Sequence, residues 1–197
     1  MRKMRTEDEL GEQLVEALKL PSRVGRIACH KSLLYALSIE SDGTIRKGID
    51  TDSGAPKRGA GKGFEQDLLI WKQVEGDDTT VVPLVSVELK LGGVSTHDAI
   101  VYSEKARRLR AVYPYARFGL ILGRLPAIPG RVLRLGYEFD FICTLQVPFV
   151  QKELDAIRRI LIKEATMSRK LAATLESGTK LQLLHRKLVL RGESARS

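Results

Sequence analysis

Cysteine, histidine and long apolar runs are all scarce in this chain, and each scarcity removes a class of function. The two cysteines, Cys29 and Cys143, have no metal-ligating spacing and no density for a disulfide framework, which fits a reducing setting. His30, His97 and His185 include no pair at zinc-binding spacing. No apolar run approaches the roughly 20 residues of a membrane-spanning helix. The charged start Met1-Arg2-Lys3-Met4-Arg5 has no hydrophobic segment behind it. The expectation is a soluble, cytoplasmic protein. No serine or cysteine comes with a credible base and orienting group, so covalent hydrolysis has little support. The loop Lys57-Arg58-Gly59-Ala60-Gly61-Lys62-Gly63 is not a Walker A motif, because Gly63 follows Lys62 and position 56 is proline.

What is present is a globular composition: 197 residues, 43% hydrophobic and 29% charged, enough for one domain over 1–197 with a full core. A net charge of +9 favours a polyanionic partner. Thr6 and Glu9 have capping-box spacing, and Leu10, Leu14, Ala17 and Leu18 then form one stripe of a helix that Pro21 ends. Strands are predicted at Tyr35–Glu40 and Thr44–Ile49 around a Ser41-Asp42-Gly43 turn, then at the segment led by Asp67, and at Val85–Leu91. Gly92-Gly93 breaks the last of these. Ser95-Thr96-His97-Asp98 starts a helix to about Tyr113, and Phe118–Leu122 is a wholly apolar strand. A Pro/Gly-rich connection, a strand around Glu138–Leu145 and a long helix from Pro148 to about Leu175 complete the pattern. The order predicts an α/β fold, a central mixed sheet flanked by helices, with core motifs in 60–145 and a helical extension over 148–197.

The segment Val85-Ser86-Val87-Glu88-Leu89-Lys90-Leu91 carries the chemistry. Alternation puts Val85, Val87, Leu89 and Leu91 on one face and Glu88 with Lys90 on the other. An unpaired buried charge is costly, so that pair must be solvated, mutually satisfied or holding a ligand. A Glu-x-Lys triplet alone is more often a cross-strand ion pair. The flanking apolar parity, the Gly-Gly break and Asp67 about twenty residues earlier, at hairpin separation, raise it above that. Two carboxylates and a lysine at neighbouring strand ends suit magnesium-dependent phosphodiester hydrolysis. Lys90 would orient the water and neutralise developing charge, or act as a base if burial lowered its pKa.

The succession Phe64-Glu65-Gln66-Asp67-Leu68-Leu69, then Val85-Ser86-Val87-Glu88-Leu89-Lys90, then a helix and an apolar strand resembles the restriction-endonuclease-like, or PD-(D/E)xK, nuclease superfamily. Thr96–Ala99, Tyr102–Ala106 and Tyr113–Gly123 are similar to its bacterial restriction-enzyme-type members. The resemblance covers roughly 60–145 and implies an αβββαβ core. It also implies Asp67 and Glu88 as magnesium ligands, the Leu89 carbonyl as a further ligand, manganese as a substitute ion, and Lys90 beside the attacking water. Gln66 stands where the motif has proline. A glutamate from the first helix often completes such sites; Glu7, Glu12 and Glu16 leave that ligand unassigned, and Glu65 is a further carboxylate candidate.

The resulting expectation is a metal-dependent endonuclease cutting double-stranded DNA, restriction-type. A catalytically inactive nucleic-acid-binding module on the same fold, a repair or junction-resolving nuclease, and a protein docking an acidic partner are the alternatives. Lys57, Arg58 and Lys62 on the basic loop, and Lys105 and Arg108 on the helix after the site, are the candidate DNA contacts. Leu154, Ile157, Leu161 and Ala165 form an apolar face for core packing or a homodimer interface, and a symmetric duplex target favours the dimer.

Overall fold

Thr6 opens the first helix as its sequence requires: its Oγ1 accepts the Glu9 N–H at 3.1 Å, and Glu7, Asp8 and Glu9 sit against the positive end of the helix dipole. The computed structural model describes residues 4–35, 38–39, 45–46, 63–74, 77–184 and 189–190. Helix α1 (Glu7–Leu18) closes at Lys19 in the left-handed conformation, and a short 3₁₀ turn follows at Ser22–Val24. Next come β1 (Arg26–Ala28), β2 (Lys31–Leu34), β3 (Ser38–Ile39), β4 (Ile45–Arg46), β5 (Gly63–Gln66), β6 (Leu68–Val74) and the long β7 (Asp77–Leu91). The second half is α2 (Thr96–Val112), β8 (Arg117–Gly123), α3 (Gly130–Leu135), β9 (Phe141–Leu145) and α4 (Gln151–Ser177).

Five strands form the central sheet in the order β1-β6-β7-β8-β9. β1, β6 and β7 run antiparallel to their neighbours, whereas β7, β8 and β9 are parallel, so the sheet is mixed. The parallel half needs crossovers, and α2 and α3 supply them. Two small antiparallel pairs, β2-β5 and β3-β4, stand beside it. The predicted strands around 35–40 and 44–49 survive as β3 and β4 at Ser38–Ile39 and Ile45–Arg46, and the rest of both spans lies largely outside the described residues.

Alternation along the strands sorts the core into two layers. Val85, Val87 and Leu89 of β7 and Leu68 and Ile70 of β6 meet Leu10 and Leu14 of α1 and Leu154, Ile157, Leu161 and Ala165 of α4. Leu69, Trp71, Phe118, Leu120 and Leu122 point the other way, to Ala99, Ala106 and Leu109 of α2 and Val132 of α3. α4, within the predicted helical extension, closes one face of the sheet, and its apolar stripe serves core packing, the first of the two roles expected for it. Among the described residues no helix is long and apolar enough to cross a membrane.

Candidate active site

The site forms where β6 begins and β7 continues past it. The last β6–β7 pair is Leu68 with Val87, so β7 residues beyond Val87 have lost their neighbour on that side. Their edge N–H groups still need acceptors. Asp67, in the bend between β5 and β6, fills the first gap: its Oδ2 accepts the Leu89 N–H at 2.7 Å. Glu7, in the first turn of α1, fills the next, its Oε1 accepting the Leu91 N–H at 3.3 Å. A strand residue's N–H and C=O point to the same side, so the Leu89 carbonyl shares the edge that Asp67 occupies. Two carboxylates and that carbonyl are thus gathered by an unfinished ladder.

Glu88 and Lys90 lie on the α2 side of β7. Glu88 is only 6% exposed, and Lys105 Nζ of α2 stands 2.7 Å from its Oε1. That approach makes Lys105 the direct counter-charge of the buried carboxylate. The Lys105 ammonium also donates to the Glu65 carbonyl. Lys90 Nζ lies 3.3 Å from Glu7 Oε1 and 3.7 Å from Asp98 Oδ1. Asp98 is meanwhile fixed by the α2 capping box, its Oδ2 accepting the Ser95 N–H at 2.8 Å. The start of α2 therefore holds a partner against the site lysine.

The carboxylates repel one another. Burial pushes Glu88 up to about 7; Lys105 opposes that shift, while the charges of Asp67 and Glu7 add to it. Burial also raises Asp67, with the Leu89 N–H and Lys105 opposing and Glu7 reinforcing. Lys90 moves upward: burial works to lower it, but Tyr102, Glu7 and Asp98 outweigh that. It stays cationic at neutral pH, which favours charge neutralisation over a general-base role. The thiols are inert, since burial raises Cys29 to about 11 and Cys143 to about 12.

Gln66, in the place of the motif's proline, does structural work. Its Nε2 donates to the Phe64 carbonyl at 2.6 Å, and its Oε1 accepts from the Ser86 hydroxyl. Gln66, Ser86, Glu88, Tyr102 and Lys105 help line a shallow depression with room for little more than a water molecule, too small to enclose a small-molecule ligand.

Asp67, Glu88, Lys90 and the Leu89 backbone converge as a group. Glu7, the first-helix glutamate that shares the apolar stripe, joins them from α1 through Lys90 and the Leu91 N–H. Lys105 is not a surface cation: it sits at the boundary of the α2 apolar stripe, and its long side chain turns inward to Glu88. Arg108 does face outward, but it and Arg107 share Glu104, at 2.8 and 2.7 Å. Arg110 also turns inward, to Asp140. Lys57, Arg58, Lys62 and His185 lie outside the described residues. Glu65 directs its side chain to His30, Oε1 to Nδ1 at 3.0 Å, with Asp8 3.9 Å from the other ring nitrogen. His30 is near enough for its charge to lower the pKa of Asp67. Nothing in the sequence flagged His30, which reaches the rim through its own left-handed conformation in the turn between β1 and β2. Among the described residues, no three His, Cys, Asp or Glu side chains are close enough together to form a ready-made metal cage. Glu88 and Glu7 are each engaged by a lysine instead.

No protein-family model matches this chain, and no curated protein matches it. What this site does must follow from its residues and their geometry.

Proposed function

We propose that this protein is a magnesium-dependent endonuclease of the restriction-endonuclease-like, PD-(D/E)xK type, hydrolysing phosphodiester bonds of double-stranded DNA. The observation that carries the reading is the open edge of β7, where Asp67 and Glu7 accept the Leu89 and Leu91 N–H groups beside the buried Glu88. Burial raises the pKa of Asp67 and of Glu88, and the Glu7 charge adds to both shifts. An all-oxygen set of that kind fits a hard dication. Asp67, Glu88 and the Leu89 carbonyl would hold it, with Glu7 in reach as a further carboxylate. When bound, magnesium supplies Lewis-acid polarisation of the phosphodiester and of the attacking water.

The chain's own groups divide the remaining work. Water attacks phosphorus, the 3′-oxygen leaves, and negative charge grows on the phosphoryl oxygens. Lys90 keeps its proton and offers a cation to that charge. Lys105 positions Glu88 from behind, and Asp98 and Glu7 hold Lys90 in place. Cutting both strands calls for two such sites, hence two copies acting together, through a surface other than the apolar face of α4.

The engagement of both glutamates by lysines favours a second reading, a catalytically silent DNA-binding module on the same scaffold. End chemistry separates the two. Incubation of a labelled duplex with magnesium should give 5′-phosphate and 3′-hydroxyl products that a ligase rejoins, and chelator should abolish them. Intact duplex under magnesium and under manganese would favour the silent module.

A further inference from the structure

The long helix α4 sorts its charges by direction. Its buried face is Leu154, Ile157, Leu161, Ala165, Ser168 and Ala172. Opposite, Lys152, Arg159, Lys163 and Lys170 are all exposed, at spacings of 7, 4 and 7 residues. At 3.6 residues per turn these steps are close to whole numbers of turns, so the four cations form one straight stripe. Eighteen residues at 1.5 Å each make it about 27 Å long.

Two of the three acidic residues interleaved with them in sequence turn to other segments, and Asp155 bonds within the helix. Glu153 accepts the Gln146 N–H at 2.6 Å, Asp155 accepts from Gln151 at 3.0 Å, and Glu164 pairs with Arg117 at 2.8 Å. Two other cations of α4 are also occupied: Arg158 donates to the Lys19 carbonyl and Arg169 to the Arg23 carbonyl. None of the four stripe residues forms an ion pair among the described residues, and Asp155 is the one carboxylate of α4 at i,i+3 or i,i+4 from any of them, beside Lys152 and Arg159. An ordinary solvated helix face mixes signs at i,i+3 and i,i+4, as Glu104 with Arg107 and Arg108 does on α2.

We infer that the outer face of α4 is a docking surface for the phosphate backbone of a nucleic-acid duplex. A straight row of single-sign charge complements a line charge, and 27 Å covers about eight base pairs of axial length at ~3.4 Å each. A lipid surface would call for a broader patch or an inserting apolar face, and the apolar face of α4 is buried in the core. This surface goes beyond the cleavage site. It lies on the α1–α4 side of the sheet, whereas Glu88 faces α2, and it needs neither metal nor catalysis.

The test is the salt dependence of binding to a 30-base-pair duplex in chelator, which removes cleavage from the readout. Each phosphate contact contributes about 0.9 to the slope of log K against log salt. Replacing all four residues by glutamine should flatten the slope by up to about 3.6 and leave thermal stability unchanged. A like-charge swap, Lys152→Arg with Arg159→Lys, Lys163→Arg and Lys170→Arg, should restore it. Because the slope is read in chelator and cleavage is read separately under magnesium, a failed nuclease reading and a failed docking surface are distinguishable. An unchanged slope in the glutamine variant, no duplex binding by the wild type at low salt, or capture by phosphatidylserine vesicles in preference to duplex would each overturn the assignment.

Discussion

Glu88 concentrates the tension at the residue scale. Its folded-state pKa of about 7 lies above the ordinary 4.5, so the folded chain holds the proton more tightly than the unfolded one. Stability associated with Glu88 is therefore present below pH 4.5 and lost as pH rises toward 7. Glu88→Gln keeps the shape and removes that dependence. In chelator the variant should match wild type near pH 4.5 and exceed it at pH 8 by up to about 3 kcal/mol, read by denaturant melts across that window. A difference that does not grow between those pH values would contradict the burial argument. Magnesium should narrow the gap at pH 8, because only the wild type gains a partner for its carboxylate. Lys105 holds the Glu88 pKa down, so Lys105→Met should move the acid limb of the pH–rate profile upward. Lys105→Arg should restore it.

At the scale of elements, the site depends on where helices start and strands stop. The α2 capping box fixes Asp98, which faces Lys90, so it joins fold stability to site geometry. Ser95→Ala should cost about 1 kcal/mol in a chemical melt while leaving the fold intact. Leu161→Ala should cost about 2–5 kcal/mol, because Leu161 is fully buried under the sheet. A loss near zero would mean that α4 is an appendage after all. α1, α2, β7 and β8 were legible because caps, alternation or an unbroken apolar run marked them. β1 and β2 were not, since three or four residues carry too little pattern. α3 was hidden in a Pro/Gly-rich connection, where six residues satisfy only a turn and a half of helix. The bend at Asp67 was legible only as a strand head; splitting it into β5 and β6 depends on two different partner strands.

For the whole molecule, the membership of the site depends on docking as well as spacing. Asp67, Glu88 and Lys90 could be read from sequence because a hairpin relates them. Glu7 and Lys105 could not, since they arrive on helices from opposite layers and nothing local records where a helix sits on a sheet. The same docking turned Lys105 from a supposed surface cation into the counter-charge of Glu88, and placed an unpaired cationic stripe on α4. The net charge of +9 is thus unevenly used: Lys90, Lys105, Arg110 and Arg117 are tied to carboxylates, and the α4 stripe faces solvent. The most direct measurement of the central claim is cleavage of supercoiled plasmid with magnesium or chelator, beside Asp67→Asn, Glu88→Gln and Lys90→Ala. Nicking or linearisation should require the metal, vanish in both carboxylate variants and fall by about 10²–10³ in Lys90→Ala. Plasmid left supercoiled by the wild type under magnesium and manganese, or cutting that survives Glu88→Gln, would contradict that claim.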